Sequence, residues 1–237
     1  ILSVVAGRVA SRSIVAGDDA RRRELPVRWW DPICECGASL GVFLGRCRDG
    51  HRQRWLDPAL LVASVLLLGA VPLVLPTLWV VPGYLLFVAT ALLLTVTDLD
   101  TKLLPNRILV RAGIPSVVLL VVGGLFASEP AAVLRSLAAG AVYFTGMLVL
   151  ALIARGALGF GDVKLAALLG VFSGYLGWGH LGVAVVGAFL LAGASALVLL
   201  VFRLAGRRDH IPFGPFMVVA TLIAIYAGDA IREWYRV

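Results

Sequence analysis

The chain has 237 residues, of which 60% are hydrophobic and only 15% charged, with a formal net charge of +7. A soluble domain carries about 25% charged residues, so this composition excludes an ordinary water-soluble fold. The excess positive charge would suggest nucleic acid in a soluble protein, but the basic stretches carry little of the aromatic interleaving that stacks bases. No nucleic-acid partner is therefore expected.

The apolar residues gather into runs near the ~20 residues that cross a bilayer as a helix. They do not alternate with polar residues as the strands of a membrane barrel would. The chain is read as all-α, a polytopic helical membrane protein of about eight transmembrane helices with a short cytoplasmic loop domain. Residues 1–10, opening on Ile1, read as the last turns of a first helix that starts upstream. Residues 11–57 form a basic, polar loop holding Cys34, Cys36, Cys47 and His51. Residues 58–237 form a seven-helix core. Its spans are expected at "PALLVASVLLLGAVPLVLP" (58–76), "TLWVVPGYLLFVATALLLTVT" (77–97), "ILVRAGIPSVVLLVVGGLFA" (108–127) and 131–154. The fifth runs from near Val163 to near Gly177, the sixth over 181–202 and the last over "FGPFMVVATLIAIYAGDAI" (213–231). Pro82 falls inside a span, which membrane helices tolerate where neighbours satisfy the freed carbonyl.

Short loops rich in Lys and Arg stay in the cytoplasm. The arginines of 8–57, then Lys102, Arg107 and Arg111, then Arg155 and Lys164, then Arg203, Arg207 and Arg208, all fall on one side. Arg135, Arg232 and Arg236 fall on the other. This bias puts "TDLDTKLLPNR" and "RGALGFGDVK" at cytoplasmic helix ends.

Those two segments hold the informative acids, Asp98, Asp100 and Asp162, where apolar helices meet the interface. An acid at such depth is costly and commonly functional. Two carboxyls at one water cannot both ionise, so one pKa rises and the pair shares a proton. That is what an aspartic mechanism of peptide hydrolysis requires. Positions two apart on a continuing helix differ by about 200°, so Asp98 and Asp100 cannot both face Asp162. Asp98 lies nearer the apolar run and is the preferred partner. Gly156, Gly159 and Gly161 let the backbone turn sharply before Asp162. Pro212, Gly214 and Pro215 start a helix or permit a re-entrant turn near the site. Lys164 either tunes Asp162 or anchors the interface. His180 and His210 read as loop residues, and the Gly and Ala of 177–196 as close helix-packing positions.

"GFGD" followed by "VKL" resembles the G-x-G-D-x-K-L signature of the type IV prepilin peptidases, the GxGD membrane aspartyl proteases. "DLDTKLLPN" resembles their other signature, and "IPFGPF" (211–216) a stretch before their last helix. The resemblance implies Asp98 and Asp162 as catalytic acids. Gly159, Gly161, Lys164, Leu104, Pro105 and Asn106 would form the loops around them. Asn106 stands where the family has Asp, keeping the hydrogen-bonding shape without the charge. The resemblance further implies a multi-pass protein of the bacterial inner membrane with its active site facing the cytoplasm. Its partners would be the lipid bilayer and prepilin or pseudopilin precursors, whose basic leader it cuts. It needs no metal or cofactor for the cut.

Family members with a large cytoplasmic loop often carry two C-x-x-C pairs that bind zinc, in a loop linked to N-methylation of the new terminus. "ICECGASL" and "GRCRDGH" resemble those two places. Cys36 and Cys47 fit two ligand positions, whereas Ile33 and Gly50 occupy the others. Cys34 and His51 are each one residue out of register, and C-x-C spacing suits zinc poorly. A decayed site without metal is expected, and methylation of the product with it is doubtful. A different reading makes the chain a transporter using Asp98 and Asp162 as proton or cation sites. Such sites lie near the bilayer midplane between repeats, and no repeat is evident. A third makes it an inactive scaffold of the same fold.

Overall fold

The computed structural model describes residues 58–101, 109–153, 159–201 and 213–235. Seven α-helices lie among these described residues. They are α1 (Pro58–Val74), α2 (Val81–Thr101), α3 (Ile114–Phe126), α4 (Pro130–Ile153), α5 (Phe160–Leu176), α6 (Trp178–Val201) and α7 (Gly214–Tyr235). A short 3-10 turn, Leu78–Val80, precedes α2, and a π-helical turn, Leu109–Gly113, leads into α3. By length and composition five stretches can cross a membrane: Leu78–Thr95, Leu109–Phe126, Pro130–Ile153, Trp178–Val198 and Gly214–Ile231. Every element among the described residues is helical, and the five apolar stretches are consistent with a multi-pass membrane protein. The expected helix at 1–10 and the loop 11–57 lie outside the described residues.

The helix α5 sits at the centre, with twelve of its 17 residues buried. In lipid, helices associate through close packing of small residues and interhelical hydrogen bonds, and α5 uses both. Against α4, a Cβ on Gly170 would lie 2.8 Å from the Ala139 carbonyl oxygen and 2.9 Å from Gly140 Cα, and one on Gly174 would overlap Ala139 Cβ. Those glycines let the two backbones touch. Against α2 the contact is made instead by large rings. Phe87 stacks on Phe172 at 4.0 Å between centroids, and Tyr84 meets Phe172 edge-on at 5.1 Å. The Tyr84 hydroxyl donates to the Phe172 carbonyl at 2.7 Å. At the C-terminal end of α5, Arg135 of α4 donates from Nε to the Gly174 carbonyl at 3.0 Å and from its guanidinium to the Tyr175 carbonyl. Tyr175 in turn donates to Glu129 Oε2 at 2.9 Å. The helices α6 and α7 pair with each other, with Gly187 facing Ala220, and α7 also packs on α2 and α5.

Several local expectations need correction. Pro82 does lie inside the candidate span Leu78–Thr95, but as the second residue of α2 its missing N–H leaves no intrahelical bond unmade, so no neighbour has to compensate. His180 is not in a loop. It lies in the first turn of α6, is buried, and its Nε2 is 3.5 Å from Asp229 Oδ1. Within 177–196, Gly187 packs closely, but a Cβ on Gly182 or Gly193 would meet nothing within 4 Å. The close glycine crossing belongs to α4 and α5 instead.

Candidate active site

Three helix ends converge at one end of the bundle: the C-terminal end of α2, the start of α5 and the start of α7. Asp98 sits near the end of α2, beyond the apolar stretch that stops at Thr95. The helix continues through Thr101, the condition under which positions 98 and 100 cannot share a face. On α5 the chain arrives extended at Gly159, turns, and places Asp162 in the first helical turn, with its amide donating to the Gly159 carbonyl at 3.1 Å. Gly159 is therefore the capping position, and Asp162 is a side chain presented from just inside the helix. The helix begins at Phe160, so Asp162 lies within it, not ahead of it as the expected start near Val163 implied.

The first residue of α7, Gly214, lies against both acids. A Cβ built there would be 2.6 Å from Asp98 Oδ2 and 3.4 Å from Asp162 Oδ1. The two carboxyl oxygens are therefore no farther apart than the sum of those distances. Both acids are buried, Asp98 with 5% and Asp162 with 8% of its surface exposed. Asp98 Oδ2 has no hydrogen-bond partner among the described residues. A buried acceptor left so costs about 1–3 kcal/mol, and sites that carry such a cost are commonly there to bind something. Burial pushes the Asp98 carboxyl above its usual range. Asp162 is pushed up to about 6, first by burial and then by the charge of Asp98. Two acids that interact are described as one pair with two apparent values. A carboxylate and a carboxylic acid facing one gap can take a proton from a water and return one to a leaving group.

Lys164, two residues on, holds its Nζ 5.1 Å from the centroid of the Phe160 ring. Gly161 is half-buried beside Asp162. Leu104, Pro105, Asn106 and the four residues Cys34, Cys36, Cys47 and His51 lie outside the described residues. Two residues near the acids were not singled out by chemistry in the sequence. One is Gly214, read only as a helix start or turn. The other is Tyr143 of α4, buried, in electrostatic range of Asp162, its hydroxyl without a partner among the described residues. Its one signal is a phenol in the middle of an apolar run.

The family model described as the type IV leader peptidase family matches residues 85–206, a stretch holding both acids. The chain belongs to the type IV leader peptidase family. Among its relatives is the prepilin leader peptidase/N-methyltransferase of Aeromonas hydrophila, 30% identical over 195 residues, 81% of this chain and 65% of that protein. The protein of the same name from Bacillus subtilis is 30% identical over 198 residues, 81% of this chain and 74% of that protein. The one from Pseudomonas aeruginosa is 30% identical over 204 residues, 83% and 66%. The chain thus spans just under two thirds, 65%, of the length of the first relatives it matches. No solved structure matches it. The stretch matched by the family model holds both of the carboxyls that α2 and α5 bring together.

Proposed function

We propose that this chain is a membrane aspartic endopeptidase that removes the leader of prepilin or pseudopilin precursors at the cytoplasmic face. Asp98 and Asp162 form the catalytic dyad. The carrying observation is the convergence of Asp98 Oδ2 and Asp162 Oδ1 on Gly214, both acids buried and both shifted toward the protonated form. The carboxylate member takes a proton from water as that water attacks the scissile carbonyl. The protonated member hydrogen-bonds to the carbonyl oxygen and later supplies the proton for the departing amine. Neither step calls on a metal or cofactor.

The arginine-rich 8–57 segment and the basic residues flanking both acid motifs favour a cytoplasmic site, on the side where a basic leader would lie. The apolar helix of such a substrate stays in the bilayer. The names of the relatives couple the peptidase to an N-methyltransferase. That second activity is not proposed here, because the cysteine spacing departs from a zinc-binding pattern. A transporter would place its ion-carrying acids near mid-membrane, whereas Asp98 follows the apolar stretch ending at Thr95.

The test is co-expression with a leader-bearing precursor. Cleavage should appear with the wild type and vanish with Asp98→Asn or Asp162→Asn, each still inserted in the membrane. Cleavage by either amide variant at the wild-type rate overturns the dyad.

A further inference from the structure

We propose that Gly214 is a positioning residue for the acid pair. By lacking a side chain, the first residue of α7 lets the Asp98 carboxyl lie against its backbone and so holds it in place beside Asp162. This rests on the aspartic peptidase reading above. Gly214 lies beyond the 85–206 stretch matched by the family model, on a helix that contributes neither acid.

The geometry carries it. A Cβ there would lie 2.6 Å from Asp98 Oδ2, closer than side-chain carbons come, and 3.4 Å from Asp162 Oδ1, an ordinary contact. A methyl group would therefore push the Asp98 carboxyl out of the place it holds beside Asp162. The second observation is independent. The oxygen that faces Gly214 is Asp98 Oδ2, buried and without a hydrogen-bond partner among the described residues.

Glycine is not there for its backbone freedom, since Gly177 is the one glycine of positive φ among the described residues. Nor is it there for helix–helix contact. At Gly170 and Gly174 a Cβ would strike the backbone or Cβ of α4, whereas at Gly214 it would strike the free end of an aspartate side chain. A carboxyl can swing away from a methyl at little cost to the fold. What it cannot do is swing away and keep its place opposite Asp162.

Pro215 supplies a rival reason for glycine, because the residue before a proline is pushed out of the helical region by a clash involving its Cβ. The test therefore compares Gly214→Ala, Pro215→Ala and the double variant, each full-length in lipid, on a prepilin-like precursor across pH. A misplacement near 1 Å costs about 100-fold in rate. We expect kcat of Gly214→Ala to fall by about that factor, with KM within about threefold and the melting temperature unchanged. The alkaline limb of its pH profile should move to lower pH, because parted acids raise each other's pKa less. The double variant should stay equally slow. Wild-type kcat and profile in Gly214→Ala, recovery in the double variant, or loss of the folded protein in either would overturn the proposal. Asp98→Asn and Asp162→Asn run in parallel separate the two levels. If both are dead and Gly214→Ala is normal, only this inference fails; if either amide variant cleaves normally, the Asp98/Asp162 dyad fails and takes this with it.

Discussion

Replacing Asp162 with Asn should make the protein more stable while stopping its chemistry. The Asp162 carboxyl has an ordinary pKa of 3.8 and is pushed up to about 6 in the fold, by burial and then by Asp98. Between those values the folded state binds the proton more tightly than the unfolded chain does. The stability contributed by this group is therefore fully present below about pH 4 and falls as pH rises to about 6. Above pH 6 the fold carries the whole cost of holding an anion there, ~3 kcal/mol at 1.36 kcal/mol per pH unit. The first turn of α5 favours an anion by about 0.3–1 kcal/mol, an interaction the neutral amide gives up, so the net gain from Asn at pH 8 is about 2 kcal/mol. For a chain of this size 1 kcal/mol moves the melting temperature by about 2–4 °C, giving a rise of about 4–8 °C. The assay is thermal unfolding in micelles followed by tryptophan fluorescence, at pH 8 and again stepwise down to pH 4. The gain should shrink as the pH falls through 6. A variant that melts below the wild type at pH 8, or whose gain does not depend on pH, would refute the reasoning.

Other expectations are sharp enough to fail. Asp98→Ala and Asp162→Ala should both abolish leader cleavage, while Asp100→Ala keeps substantial activity; the reverse pattern for Asp98 and Asp100 would move the dyad to the wrong face of α2. Reporter fusions after Arg54 and after Val237 should report opposite sides of the membrane, and the same side for both would mean an odd error in the helix count. Replacing Cys34, Cys36 and Cys47 together with Ser should cost little cleavage, and metal analysis of the purified protein should find little zinc. Stoichiometric zinc, or loss of the folded protein in that triple variant, would show a structural site, since the binding energy of such a metal is folding energy.

The helices from Pro58 onward were legible because a bilayer demands long apolar runs, and the breaks between them carry Pro, Gly or charge. The acids were legible for the converse reason: in such a chain a carboxyl at a helix end stands out. What surrounds them was not legible. Gly214 reads in the sequence as part of a helix start, and only the approach of α7 to two other helices shows what its missing side chain admits. Tyr143 and His180 are single polar residues in apolar runs, and nothing local says that one lies near Asp162 and the other pairs with Asp229. The glycines misled in part, because Gly170 and Gly182 look alike in sequence, yet only the first meets another backbone. Propensity and periodicity report on one helix at a time, whereas these roles are set by which helices cross.

The length of α5 explains why its two ends differ so sharply in character. Its 17 residues rise ~26 Å, less than the ~30 Å of a bilayer core, while α2, α4, α6 and α7 are longer. A helix that stops short is tolerated because it is wrapped by protein and not by lipid, but its terminal groups still need partners. At the C-terminal end the need is met by a cation: Arg135 bonds the carbonyls of Gly174 and Tyr175, the charge that a helix C-terminus favours. At the N-terminal end the complementary charge is an anion, and Asp162 supplies it from the first turn. If both were only structural, each would be settled by its own helix end. Arg135 is settled, with its donors on carbonyl oxygens. Asp162 instead faces a second buried carboxyl, whose charge pushes its pKa up, and the pair flanks a position where Gly214 withholds a side chain. Like charge against like charge at a helix end undoes part of what the dipole gives, and such an arrangement makes physical sense when the two acids have a proton to share.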